Sequence, residues 1–303
     1  MWTKLLEGLG GQLIQRWALT VLTPAFVFWT GGLVAWVWRF GWDPLLKWIT
    51  QQSDTIIIAI AIGGLIIIAA SAAVAQRFIL PMLRLAEGYW PRPLNPLRRA
   101  LVVRNLERIK EARERWRKLN SRGLDELTGE ELEEHARLDQ QLMRVPSADT
   151  LVMPTRLGNI LRAAESRPKD KYGLNAAICW PRLWLVLPAD SKTELANART
   201  GLNTWTLASF WSLAFVVWGV WAWWAPPVGL VSTLLAYRGM LIAAEVYADL
   251  LESVYDVHRM VLYQALRWPL PDNPETEWQS GQQVSSYLWR GSRQNQPTFT
   301  DPT

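Results

Sequence analysis

The sequence predicts an all-α integral membrane protein: four transmembrane helices, a helical cytoplasmic domain, and a fourth span that extends into the cytoplasm. Three observations carry this. Four apolar stretches reach the roughly 20 residues that a helix needs to cross the hydrocarbon core, and only the last has a charge near its middle, Arg238. The chain of 303 residues has 20 Trp, a side chain that membrane proteins place at both water interfaces. Lys and Arg crowd into residues 77–203 and the C-terminal part, while the short connections between paired spans have few or none.

A segment of residues 1–16 precedes span one, which runs roughly Trp17 to Trp38 and is uncharged between Arg16 and Arg39. Its apolar length and the lack of a small-x-small cleavage site distinguish it from a secretory signal peptide. Span two is the run TIIIAIAIGGLIIIAASAAVAQ, roughly Thr55 to Gln76, so spans one and two lie within 17–80. Gly31–Gly32 and Gly63–Gly64 either admit close helix approach or merely face lipid. The second pair of spans falls within 204–250. No charge occurs from Thr200 to Tyr237, and Pro226–Pro227 divides that stretch. Span three is expected at Thr204 to Trp224. Span four begins near Val228, since proline opens helices well. Excess Lys and Arg mark the cytoplasmic side. Both termini and residues 81–203 are thus expected inside, with Trp36, Trp38, Trp42, Trp48, Trp221, Trp223 and Trp224 at the outer interface.

In the cytoplasmic domain, residues 97–145 read as a charged helical hairpin. SRG at 121–123 breaks it, and Thr128 with Glu131 forms a capping box that starts the second helix. From Arg98 to Arg122 there are ten Lys and Arg against three Glu; from Leu124 to Val145, seven acids against two Arg. The basic arm either pairs with the acidic arm or contacts anionic lipid or a partner through Arg104, Arg108 and Arg113, with Arg182 as a further contact. Residues 176–188 are apolar for about 13 positions, too few to span, which fits an interfacial or domain-core segment better than a re-entrant one.

From Val228 to Trp268 nothing interrupts a helix, so span four continues as one rod of roughly 60 Å at 1.5 Å per residue, its cytoplasmic extension taken as 251–290. Arg238, Glu245, Asp249, Glu252, Asp256 and Arg259 recur at spacings of seven, four, three, four and three, and therefore share one face. A guanidinium at bilayer depth costs roughly 2.5–3.5 kcal/mol on insertion scales. No carboxylate lies in the other three spans to offset it. Either the stripe lines an oligomer axis, with Arg238 at mid-membrane and the acids forming a cytoplasmic vestibule, or the acids pair with the basic helix at 98–122. Neutral polar groups in the spans (Thr20, Thr23, Thr30, Ser71, Ser209, Ser212) are the other candidates to meet Arg238.

The runs PTRLGNILRAAE (154–165), YGLN (172–175), WPRLW (180–184) and DVHRMVLY (256–263) resemble patterns in bacterial multi-span membrane proteins of unassigned function. The resemblance covers the last half of the chain and implies no activity. The order of two spans, a helical block, two spans and further helices is similar to the layout of bestrophin anion channels, by architecture and without a shared sequence motif.

One cysteine, Cys179, and two histidines, His135 and His258, argue against an intrachain disulfide, a metal centre or a cofactor. Glycine-rich phosphate loops are absent, and His258 in DVHR is the one candidate base, so the chain is not expected to be an enzyme. The leading expectation is a homo-oligomeric, anion-conducting channel of the bacterial inner membrane. The alternatives are a non-conducting anchor that docks a cytoplasmic protein, or a subunit that binds anionic lipid. No nucleic-acid partner is expected, and the tail 291–303 is polar and expected to be disordered.

Overall fold

The computed structural model describes residues 23–292 and 297–300. The start of span one, residues 1–16, Thr20, and most of the tail lie outside the described residues, as does the side chain of Thr23. Among the described residues the regular structure is entirely helical. The α-helices are α1 (Thr23–Phe40), α2 (Asp43–Thr50), α3 (Asp54–Arg77), α4 (Ile79–Glu87), α5 (Asn95–Ser121), α6 (Gly129–Met143), α7 (Arg156–Tyr172), α8 (Ala176–Val186), α9 (Ala189–Ala214), α10 (Ala225–Ala265) and α11 (Pro274–Arg290). The described residues fall into two compact units, one built from 23–83 and 200–240, the other from 84–199 and the described residues from 241 onward.

The first unit packs through small residues and rings. Ala25, Ala72, Ala75, Leu207 and Trp211 form a buried cluster with Phe28, Ile68 and Ile79 against it. The Phe28 ring lies 5.0 Å from both Trp211 and Trp218, and the Trp218 indole donates to the Phe28 carbonyl at 3.1 Å. The two glycine pairs behave differently. A Cβ on Gly31 would fall 2.2 Å from the Phe215 ring and one on Gly32 2.5 Å from Trp218, so α1 approaches 215–220 only because both lack side chains. Gly63 and Gly64 face open space.

Two helices, α3 and α10, are long and apolar enough to cross a membrane by length and composition. For α3 the mean hydropathy is 2.7 and only 6% of its most apolar window is buried. Its Ile58, Leu65, Ile66 and Val74 are exposed, which distinguishes it from the core helix of a water-soluble domain. The stretch expected as span three is not a separate helix over 204–224: it falls in the second half of α9, which starts at Ala189 in a charged stretch, ends at Ala214 and tightens into a 3₁₀ turn at Phe215–Val220. The tightening lets Gly219 come against Pro226, where a Cβ would lie 2.5 Å from the proline ring. Helix α10, expected to carry span four, begins at Ala225, with Pro226 and Pro227 in its first turn, and runs unbroken for 41 residues.

The second unit carries the charged hairpin as expected. Thr128 accepts from the Glu131 backbone N–H, and the Glu131 carboxylate takes the Thr128 N–H at 2.9 Å. Ala112, Leu119, Leu127 and Leu138 close the seam between α5 and α6, backed by Trp116 and Leu142. The apolar segment at 176–188 is the helix α8, capped by Asn175, with Cys179 and Leu183 buried and Arg182 and Leu185 exposed. It therefore has one core side.

Helix α11 docks on the end of α7 backbone to backbone. Gly173 closes α7 at φ 69°, and a Cβ on Gly281 would sit 1.9 Å from the Tyr172 carbonyl oxygen. Ser285 ties the junction, accepting from the Asn175 N–H at 2.9 Å and donating to the Gly173 carbonyl at 3.3 Å.

Two outcomes follow for stability. Gly281→Val forces α11 away from α7 and lowers unfolding stability by about 1–3 kcal/mol, the usual cost of overpacking, measurable by denaturant titration of the full chain. The Arg122 guanidinium and the Thr128 N–H hold the Glu131 carboxyl down at about 2, well below its ordinary 4.5. A depressed carboxyl contributes above its unfolded value and loses that contribution as pH falls toward the folded one. Protection factors of the amides at the start of α6, taken against their intrinsic exchange rates, should therefore fall between about pH 4.5 and 2, and Glu131→Gln should remove that fall.

Candidate functional site: the charged face of the long helix

The stripe on α10 exists as a continuous face, but its acids do not form a bare acidic wall. Each meets a cation of the same unit. Glu245 pairs with Arg156 at 3.0 Å, and Asp249 takes both terminal nitrogens of Arg144. Glu252 pairs with Arg167 and, at 2.7 Å, with Lys171. Asp256 meets Lys171 at 3.2 Å and accepts from the Tyr172 hydroxyl at 2.7 Å. The order of the pairs, Arg156 to Glu245, Arg167 to Glu252, Lys171 to Asp256, shows that α7 and α10 run parallel here.

This corrects the expectation that the partner is the basic helix at 98–122. Several cations of that helix are engaged elsewhere. Arg113 clamps the 145–151 loop through Asp149 at 2.6 Å and the carbonyls of Pro146 and Ser147, so it is not a free contact for lipid or a partner. Arg115 and Arg122 pair with Glu134 and Glu131 across the hairpin. Arg104 is exposed without a partner among the described residues, and Arg182 donates to its own Ile178 carbonyl.

Arg259 is not a lining cation either. It donates to Glu277 and to the Asp256 carbonyl, and stacks 4.2 Å above the Tyr172 ring, joining α10, α11 and α7. Glu277 is 6% exposed, so this pair is removed from water on one side.

Arg238 differs from the rest of the stripe. It is exposed and makes no hydrogen bond or ion pair among the described residues. Its neighbours along α10 are apolar and open: Leu234 is 66% exposed and Leu235 59%. Two of the neutral polar groups expected to help it are occupied elsewhere: Thr30 bonds the carbonyls of Phe26 and Val27, and Ser71 serves Trp29 and the Ile68 carbonyl. The Ser209 hydroxyl is buried and makes no hydrogen bond to Arg238 or to any other described residue.

The sequence reasoning missed Arg144, Arg156, Arg167 and Lys171. A signal was present. Arg156, Arg167 and Lys171 are spaced 11 and 4 apart, which sets them on one helix face that matches the acids of α10. Elsewhere, burial pushes the Cys179 thiol up, away from the thiolate that a nucleophile needs. The Ser191 hydroxyl lies 3.3 Å from His258 Nε2, and among the described residues no third group holds the other ring nitrogen.

No protein-family model, curated protein or solved structure matches this chain.

Removing the Glu277 carboxylate leaves the Arg259 guanidinium half-enclosed and unpaired. Glu277→Ala should lower stability by about 3–5 kcal/mol, as breaking a buried pair does. The double variant Arg259→Met/Glu277→Leu should recover much of that loss, read by thermal unfolding of the purified chain.

Proposed function

We propose that the chain is a four-span helical protein of the bacterial inner membrane, with both termini and the second unit cytoplasmic, that assembles as a homo-oligomer and conducts anions past Arg238. The four-span reading is supported by the bare apolar surface of α3 and the first part of α10. It is supported further by the packing of α1 and the second half of α9 with α3 in one apolar cluster. The orientation is supported by the concentration of Lys and Arg in residues 77–203.

The observation that carries conduction is the unpartnered, exposed Arg238 on a helix whose apolar window has a mean hydropathy of 1.4. A guanidinium in that setting requires water, an anion or a polar surface. Copies meeting on this face surround it with all three, and rings of Arg favour anions in pores. The acids from Glu245 onward take no part in the path, because cations of the same chain already neutralise them.

The test is single-channel recording of the purified protein in planar bilayers. Wild type should pass chloride in preference to potassium, and Arg238→Glu should abolish or reverse that preference. A correctly assembled oligomer that stays electrically silent refutes the proposal.

A second reading is favoured by the closed ion pairs between α7 and α10: a non-conducting anchor whose rigid second unit docks a cytoplasmic protein. It predicts that Arg238→Gln is tolerated and that a stoichiometric soluble partner co-purifies.

A further inference from the structure

We infer that the second unit has a binding site for a phosphate-bearing anion, in an open cavity lined by α5, α6, α7 and α10. The cavity holds about 470 Å³, within the ordinary range of ligand pockets. Four guanidiniums line it: Arg108 from α5, Arg137 from α6, Arg144 at the end of α6 and Arg156 from α7. A single carboxylate, Glu245, faces them.

The ion pairs decide how much of this charge is available. Arg156 is committed to Glu245 and Arg144 to Asp249. Arg108 and Arg137 have no hydrogen bond or ion pair among the described residues, which leaves two uncompensated positive charges in the cavity. The two paired arginines are held in place by their carboxylates, which positions their remaining N–H groups without further ordering cost.

The chemistry selects the ligand. Guanidinium presents a planar fork of donors that matches the oxygens of phosphate, so two or more of them favour a multiply charged phosphate over a single carboxylate. Gln140 and Gln141 add neutral amide groups at the wall. A lipid headgroup and a soluble phosphorylated metabolite share this chemistry. The inference does not rest on conduction: a silent protein keeps the cavity intact.

The experiment uses the full chain in nanodiscs of neutral phosphatidylcholine, titrated calorimetrically with inorganic pyrophosphate and, separately, with dioctanoyl phosphatidylglycerol. Wild type should bind at least one of these probes. Arg108→Gln/Arg137→Gln should weaken that binding at least tenfold. The control Arg92→Gln/Arg99→Gln removes the same charge outside the cavity and should bind like wild type. Preference for pyrophosphate identifies a soluble ligand; preference for the short-chain lipid identifies a headgroup. Absence of binding to both probes overturns the inference. So does an equal loss in the two double variants, which would mean attraction to net charge rather than to the cavity. Circular dichroism of both variants keeps misfolding from imitating either result.

Discussion

The ion-pair ladder between α7 and α10 is the constraint on which the second unit depends. Glu245, Asp249, Glu252 and Asp256 stand on one face of a long helix, where like charges at this spacing destabilise one another. Arg156, Arg167 and Lys171 of α7, with Arg144 at the end of α6, remove that repulsion, and the three on α7 set the register of the two helices. Arg167 also reaches the Met143 carbonyl, so the same cation ties the end of α6 to the ladder. These pairs are partly exposed and each contributes modestly. Their weight lies in acting together, since no single pair can slip by a turn without breaking its neighbours.

The ladder also accounts for what surrounds it. It draws Arg144 and Arg156 onto the wall of the cavity bounded by Arg108 and Arg137. It consumes the acids that otherwise read as a vestibule. It ends beside Arg259, whose contacts with Glu277 and the Tyr172 ring fasten α11 through Gly173 and Gly281. Arg238 carries the same helical phase but has no partner of this kind, because its part of α10 is flanked by leucines.

The first unit is organised by a different rule. Its helices have almost no internal polar partners to exchange, so close approach is achieved through alanine, through Gly31 and Gly32, and through the rings of Phe28, Trp211 and Trp218. Surfaces of this kind gain dispersion contacts without needing a hydrophobic driving force, which suits helices whose outer faces are apolar. The bare isoleucines of α3 meet the same description.

The sequence by itself determined the helical class, the unbroken rod of α10, the hairpin break at 121–123, the Thr128 capping box and the single charged face. Each of these depends on local periodicity or on groups within four residues, which a linear chain displays directly. It left open whether the glycine pairs pack, where span three starts, and which cations meet the acids. Only the tertiary structure decided these. Gly31 and Gly63 look alike until a ring 184 residues further on, Phe215, is found against one and not the other. The basic arm at 98–122 has the greater charge, yet Arg113 is held by Asp149 and α7 supplies the ladder instead. Charge is visible in sequence, but pairing depends on which helices the apolar seams bring within about 4 Å of one another, and that distance is set by the whole fold.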